Sequence, residues 1–347
     1  MPRPQTVFSE LQIALSMVDR DWSRIKNVDH ESKSLYQEEL HRRLSSDKKS
    51  VEELERTGGK LKKWLSARNT PSNFVVTWTG REKLKEYGAV GHDLIIDALD
   101  LRISVKENAQ LFQNPSPFKV FEKWPKGVFE QSRDSDWFIH TALEELNNYY
   151  LKCSGVKFSG FKDITSYYQN VGGKGERKKF STYVAQLHSS SNAAVLSAYD
   201  QLCRKVSDRS AEIFNSNITA SLTGGNKQLS KNKTLAKLFA FYFRLDSNRY
   251  TLCGTENSTS FAVEVSDLKN WEENFEIVGV KAQGLTRGQP EVLLNFEFLD
   301  KKSEKVFSRK IRSEVRWSHG KFCGNPEAKL YKHDSWSYSD LPWAMSV

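Results

Sequence analysis

The chain is predicted to be mixed α/β, α+β in arrangement, and three observations lead there. Residues 6–68 carry apolar side chains at helical spacing, residues 73–105 hold short β-branched runs broken by turn residues, and from residue 250 onward alternating strand patterns dominate. The order is helix, a mixed centre, helix again, then sheet.

Each element follows from local chemistry. Phe8, Leu11, Ile13, Leu15 and Val18 make a first helix, and Leu35, Leu40 and Leu44 a second. Val51, Leu54, Leu61, Trp64 and Leu65 make a third, which Gly58-Gly59 is expected to break and Thr70-Pro71-Ser72 to stop. Asn73–Trp78 is a β-rich run, and Arg81–Tyr87 a short helix ended by Gly88. Leu94–Ile96 and Leu101–Val105 are two strands joined through Asp97-Ala98-Leu99-Asp100, a turn-forming stretch. Asn114-Pro115-Ser116-Pro117 forces extended backbone. Asp136–Leu151 is an amphipathic helix with Asp134-Ser135 as cap candidates. Gly172–Lys179 and Gly224–Lys233 are polar, basic loops, separated by helix at 181–221 and followed by the apolar run Leu235–Leu245. Strands are expected at Tyr250–Cys253, Ser260–Val265, Phe275–Val280, Val292–Phe298 and Val306–Val315. The division expected is a helical segment at 1–70, a core at 71–155 and a helical then β-rich region at 156–347, in one compact body.

Composition narrows the function. No stretch approaches the roughly 18 apolar residues of a membrane span, and the first residues lack the pattern of a signal peptide. The expected location is the cytoplasm of a prokaryote. Cys153, Cys203, Cys253 and Cys323 are far apart without a CxxC pair, which points away from zinc and disulfide frameworks. Lys and Arg outnumber Asp and Glu by 52 to 43, a net charge of +9 that favours polyanionic partners without specifying any chemistry.

The chemistry lies in Gly91–Pro117. Asp93 heads one strand and Lys106 ends the next, thirteen positions on, so a hairpin brings the two to one edge. Cutting a phosphodiester requires a positioned water, a held phosphate and a neutralised leaving oxyanion. A carboxylate can hold Mg²⁺ for this purpose, and a lysine can orient the water and offset developing charge. The Val105 carbonyl is a further oxygen in reach. Asp97 and Asp100 fall in the turn and are poorer ligand candidates.

This arrangement resembles the PD-(D/E)xK nucleases, and the strings ISVKEN and NPSP look like type II restriction endonucleases of that superfamily. The resemblance implies a nuclease-like core sheet flanked by helices, with Asp93 as the first acid and Lys106 as the lysine. Ser104 stands where the pattern has Asp or Glu, so the second metal ligand has to come from elsewhere. Glu82 and Glu86 on the short preceding helix are the candidates, with Glu107 just after the lysine as another, and Asn108 beside it is a candidate DNA contact.

Residues 312–332, RSEVRWSHGKFCGNPEAKLYK, supply groups suited to DNA. Arg312, Arg316, Lys321, Lys329 and Lys332 can reach phosphates or guanine edges, and His319 and Asn325 can bond to bases. Gly320 and Gly324 allow close backbone approach, and the string resembles a C-terminal segment of some restriction endonucleases. Gly172-Gly173-Lys174-Gly175 lacks the spacing of a P-loop. His319, Asn325 and His333 follow the order of an HNH nuclease, but His319 lies too close to Asn325 for that site.

The expectation is therefore a Mg²⁺-dependent, site-specific double-stranded DNA endonuclease. A homodimer is implied by cutting both strands of a palindrome, and the restriction-enzyme class implies a separate cognate methyltransferase. The competing readings are a DNA-binding protein that does not cut, with a nuclease-like core, and a non-specific or HNH-type nuclease.

Overall fold

The structure is a computed structural model. It describes residues 3–68, 70–80, 92–107, 111–127, 136–155, 160–223, 233–245, 250–286, 288–333 and 336–347. The fold is mixed α/β, as the sequence predicts, and the chain divides into two compact units. These units interleave along the chain and do not follow the three segments expected. The first contains 1–110, 243–273 and 335–347, and the second 111–242 and 274–334. The N-terminal helices belong with the Asp93 strands because the two share one apolar core.

In the first unit, helices α1 (Pro4–Met17), α2 (His30–Ser46) and α3 (Lys48–Ser66) pack with a seven-stranded sheet. Its strands, in spatial order, are β1 (Ile25–Lys26), β2 (Val76–Trp78), β3 (Leu94–Ile96), β4 (Leu101–Glu107), β6 (Tyr250–Glu256), β7 (Thr259–Val265) and β12 (Ala344–Ser346). Strands β2, β3 and β4 run antiparallel, and β6 lies parallel to β4. Phe8, Leu11, Leu54 and Leu61 of the helices meet Leu94, Ile96, Ile103 and Val105 of the sheet in that core. Each such side chain stabilises the fold by about 1.5–3 kcal/mol.

Two glycines permit close backbone approach in this unit. Helix α3 continues through Gly58-Gly59 instead of breaking. A Cβ on Gly58 would lie 2.5 Å from Ser16 Cβ and 2.7 Å from Ile13 O, so glycine lets α3 approach α1. Gly254 (φ +139°) lies opposite Lys106 in the parallel ladder, where a Cβ would stand 1.7 Å from Lys106 O. The β3–β4 turn is a single 3₁₀ turn at Asp97–Leu99 that closes with Asp100 in the left-handed region (φ +46°).

The second unit has a five-stranded sheet in the order β5 (Leu111–Gln113), β11 (Pro326–Lys332), β10 (Lys305–Trp317), β9 (Pro290–Asp300), β8 (Phe275–Thr286), all antiparallel. Helix α7 (Ala193–Thr223) crosses it. The Asn215 amide donates to Ala282 O (2.9 Å) and accepts from Ala282 N (2.8 Å). Helix α4 (Trp137–Ser154) is capped by Asp136 and kinks at Ala142 (φ −156°, ψ 47°), and the expected cap candidates Asp134-Ser135 lie outside the described residues. The segment expected as a basic loop at 172–179 is instead the first turns of helix α6 (Lys174–Ser189), with Gly173 at its N-cap. Most of the second basic loop, 224–232, lies outside the described residues. The apolar run after it is α8 (Lys233–Phe243). Between β7 and β8 a short helix, α9 (Leu268–Asn274), interrupts the strands. Among the described residues no helix is long and apolar enough to cross a membrane.

Candidate active site

Strands β3 and β4 pair as a hairpin, with Leu94 opposite Ile103 and Ile95 opposite Arg102. This register sets Asp93 beside Ser104. Asp93 N donates to Ile103 O (2.9 Å), while Asp93 Oδ2 accepts from Val105 N (2.6 Å) and from Ser104 Oγ (3.4 Å). The carboxylate thus satisfies a strand amide where β3 begins. Its other oxygen, Oδ1, takes no hydrogen bond among the described residues. Ser104 is fully buried and supports Asp93 by this bond.

The structure adds an acid that the sequence reading missed. Glu10 lies on α1 amid Val7, Phe8, Leu11 and Ala14, and is the one ionisable side chain of that helix. It is 8% exposed, and its Oε2 accepts from the Trp78 indole N–H (2.6 Å). Burial, and then the negative charge of Asp93, push its carboxyl up to about 8 against the pull of Trp78 and Lys106. A lone carboxylate within an apolar helix is the signal that could have revealed it, since burying an isolated charge is costly.

Lys106 lies near both acids. Burial first, then the Arg244 guanidinium, lower its ammonium to about 8, while Asp93 and Glu10 act in the opposite direction. Among the described residues Lys106 makes no ion pair within 4.0 Å. The hairpin and α1 therefore bring two carboxyls and an ammonium into one buried field, with no ion pair between amine and acid within 4.0 Å among the described residues. Two hard oxygen donors, one of them holding its proton through burial and then the charge of the other, suit a hard divalent cation such as Mg²⁺. Among the described residues no group of three or more His, Cys, Asp or Glu side chains forms a metal cluster. Glu82, Glu86 and Asn108 lie outside the described residues.

Glu107 has a different set of partners from those the sequence suggested. The Arg43 guanidinium and the Ser9 hydroxyl bind its carboxylate, and Ser50 Oγ donates at 3.2 Å. Alternation along β4 sends it away from the face of Lys106. It is a tether between β4 and the helices.

The basic residues of 312–332 separate into two groups. Arg312, Arg316 and Lys329 share a sheet face with Glu291, Glu314 and Glu327, because cross-strand register sets Glu314 opposite Lys329 and Arg316 opposite Glu327. Arg312 pairs with Glu291, which is 3% exposed, and sits 4.6 Å from the Tyr331 ring centroid. Arg316 pairs with Glu314 (3.5 Å) and Glu327 (3.8 Å), and Lys329 with Glu327 (4.0 Å). Lys321 packs 4.4 Å from the Tyr199 ring centroid, and burial lowers its pKa. This face is a neutralised charge ladder, in which Arg312, Arg316 and Lys329, read in the sequence as candidate DNA contacts, face carboxylates.

His319 and Asn325 behave otherwise. The turn that carries them meets the start of α6, and together they line a cleft of about 370 Å³ with Gly172, Gly173, Lys174, Arg177 and Ser318. Two glycines shape it. A Cβ on Gly320 (φ +100°) would stand 2.4 Å from Ser181 Oγ, and one on Gly324 (φ +85°) 2.3 Å from Ser318 Oγ. Arg177 also donates to Tyr168 O (3.1 Å).

The four cysteines are buried free thiols, and burial raises Cys153 and Cys203 to about 12. Compared with known proteins, the chain matches no family profile, no curated protein and no solved structure.

Proposed function

We propose that this chain is a Mg²⁺-dependent endonuclease of double-stranded DNA, of the type II restriction class. The observation that carries the reading is the convergence of Asp93, Lys106 and Glu10 at one end of the β3–β4 hairpin. Asp93 and Glu10 would hold the cation, which lowers the pKa of a bound water and polarises the phosphate. Glu10 would serve as a ligand in its deprotonated form. Lys106 orients the attacking water and offsets charge on the phosphate oxygens. Ser104 keeps Asp93 aimed in place of the second acid of the family pattern, whose role falls to Glu10. The second unit contributes phosphate and base contacts from the cleft of Lys174, Arg177, His319 and Asn325. A homodimer cutting both strands, with a separate methyltransferase protecting host DNA, belongs to the same reading.

The test is incubation of phage DNA with the protein and Mg²⁺, and in parallel with EDTA. Discrete fragments with Mg²⁺ alone support the restriction class, and a smear supports a non-specific nuclease. A mobility shift of intact DNA in both conditions supports binding without cutting and contradicts the proposal.

A further inference from the structure

One carboxylate ties all three N-terminal helices to strand β4. The Glu107 side chain is bound by the Ser9 hydroxyl from α1, by the Arg43 guanidinium from α2 (Nη2 to Oε2, 3.0 Å) and by Ser50 Oγ from α3 (3.2 Å). Ser9 Oγ also lies 2.7 Å from Gln5 O, and of the two acceptors the charged carboxylate is the stronger. Arg43 is itself 5% exposed and held from several sides. Its Nε donates to Glu39 Oε1 (2.9 Å), its Nη1 to Ser50 Oγ (2.8 Å), and its Cζ lies 4.6 Å from the Phe8 ring centroid. A buried polar network with its members bonded to one another makes the local structure rigid.

The residues next to this network in sequence are those of the proposed site. Ser9 precedes Glu10, and Glu107 follows Lys106. Glu10 bonds to Trp78 of β2, and Thr79 N, one residue on, donates to Asp93 O (3.0 Å) at the head of β3. In the sheet β3 lies between β2 and β4. Consecutive residues of α1 thus grip the two strands that flank Asp93, with Ser9 on β4 and Glu10 on β2. This straddle stops α1 from sliding or turning, and so fixes where the Glu10 carboxyl stands. Position matters for Mg²⁺, which demands near-octahedral oxygens at about 2.0–2.1 Å.

We infer that Glu107 and Ser9, backed by Arg43, are positioning residues of the site: their clamp holds α1 on the hairpin so that Glu10 and Asp93 can share one Mg²⁺. They act through Glu10. The effect of the clamp on the metal rests on the nuclease reading, while its hold on Glu10 does not.

The test uses Ser9→Ala, which removes only the α1 side of the clamp, and Glu107→Gln, which keeps the shape and removes the charge. Both are read by the ¹⁵N–¹H signal of the Trp78 indole, assigned by its absence from Trp78→Phe. In wild type Glu10 accepts this proton, so it exchanges slowly with D₂O, and its signal moves as Mg²⁺ alone is added. In each folded variant the proton exchanges about 10-fold faster. The Mg²⁺ midpoint of the signal rises by roughly 10- to 100-fold, as does the Mg²⁺ needed for cutting phage DNA. DNA binding in EDTA is unchanged. Residues that only add stability would lower the melting temperature and leave the Mg²⁺ midpoint in place. If Glu107→Gln does not fold, Ser9→Ala carries the comparison. A wild-type exchange rate or a wild-type Mg²⁺ midpoint in a folded variant overturns the clamp. If wild type cuts no DNA, or its indole signal ignores Mg²⁺, the nuclease reading fails by itself, and exchange of the indole proton decides the hold on Glu10. Faster exchange in the variants upholds it, and an unchanged rate overturns it.

Discussion

The end of the β3–β4 hairpin and the outer face of β9, β10 and β11 both place acids and bases on neighbouring strands, yet the two regions treat charge in opposite ways. On the sheet face, Arg312, Arg316 and Lys329 meet Glu291, Glu314 and Glu327 within ion-pair distance. At the hairpin, Lys106 has no such pair among the described residues, and Glu10 is buried with its carboxyl raised to about 8. Paired charges stabilise or fix register and leave little to offer a ligand. Unpaired buried charges cost stability, and their pKa values move; this combination marks functional sites. The difference teaches that the count of basic residues in a segment says less about DNA than whether acids face them.

The comparison predicts contrasting mutant behaviour. The largest effect is expected at Lys106: Lys106→Ala lowers cutting by about 10²–10⁴-fold, read by plasmid cleavage, while DNA binding in EDTA persists. Gly254→Ala comes next, because the added Cβ would stand 1.7 Å from Lys106 O. It destabilises the fold by about 3 kcal/mol or more in urea titration and lowers cutting with it. Arg312→Ala is expected to cost about 3 kcal/mol of stability, since it strands the buried Glu291 carboxylate, with no change in the salt slope of DNA binding. Arg312→Ala combined with Glu291→Gln recovers most of that stability, a recovery that a DNA-contact role for Arg312 does not predict.

Smaller effects sharpen the same contrast. Lys174→Ala in the cleft of the second unit leaves stability within about 0.5 kcal/mol and reduces the salt slope by about 1. In acid, His188 sets a further expectation for that unit. It bonds to Tyr149 Oη at 2.8 Å, and burial, then Lys321, hold it down at about 4 from an ordinary 6.5. The unfolded chain therefore takes up a proton first as pH falls, so His188 makes stability decline between pH 6.5 and 4. The melting temperature should drop across that window, and His188→Gln should flatten the decline.

What the sequence discloses depends on how local the determinants are. The Asp93–Lys106 hairpin is legible because its parts lie thirteen positions apart and alternate as strands do. Glu10 is not, because only the fold joins α1 to β2 and β4. Its hint is a single acid in an apolar helix. The charge ladder is hidden for a similar reason: Glu291 and Arg312 meet through register and not through spacing. Gly58 and Gly173 mislead because a glycine's local meaning changes with its setting. One permits helix packing and the other begins a helix, where sequence alone suggests a break and a loop.

The central claim is that Asp93, Lys106 and Glu10 form one catalytic site, and Glu10→Gln tests it most directly. Glutamine can still accept the Trp78 N–H but cannot provide a carboxylate to a cation. This variant is expected to melt at or slightly above the wild-type temperature, still bind phage DNA in EDTA, and fail to cut it with Mg²⁺. Cutting at the wild-type rate by a folded Glu10→Gln protein would contradict that claim.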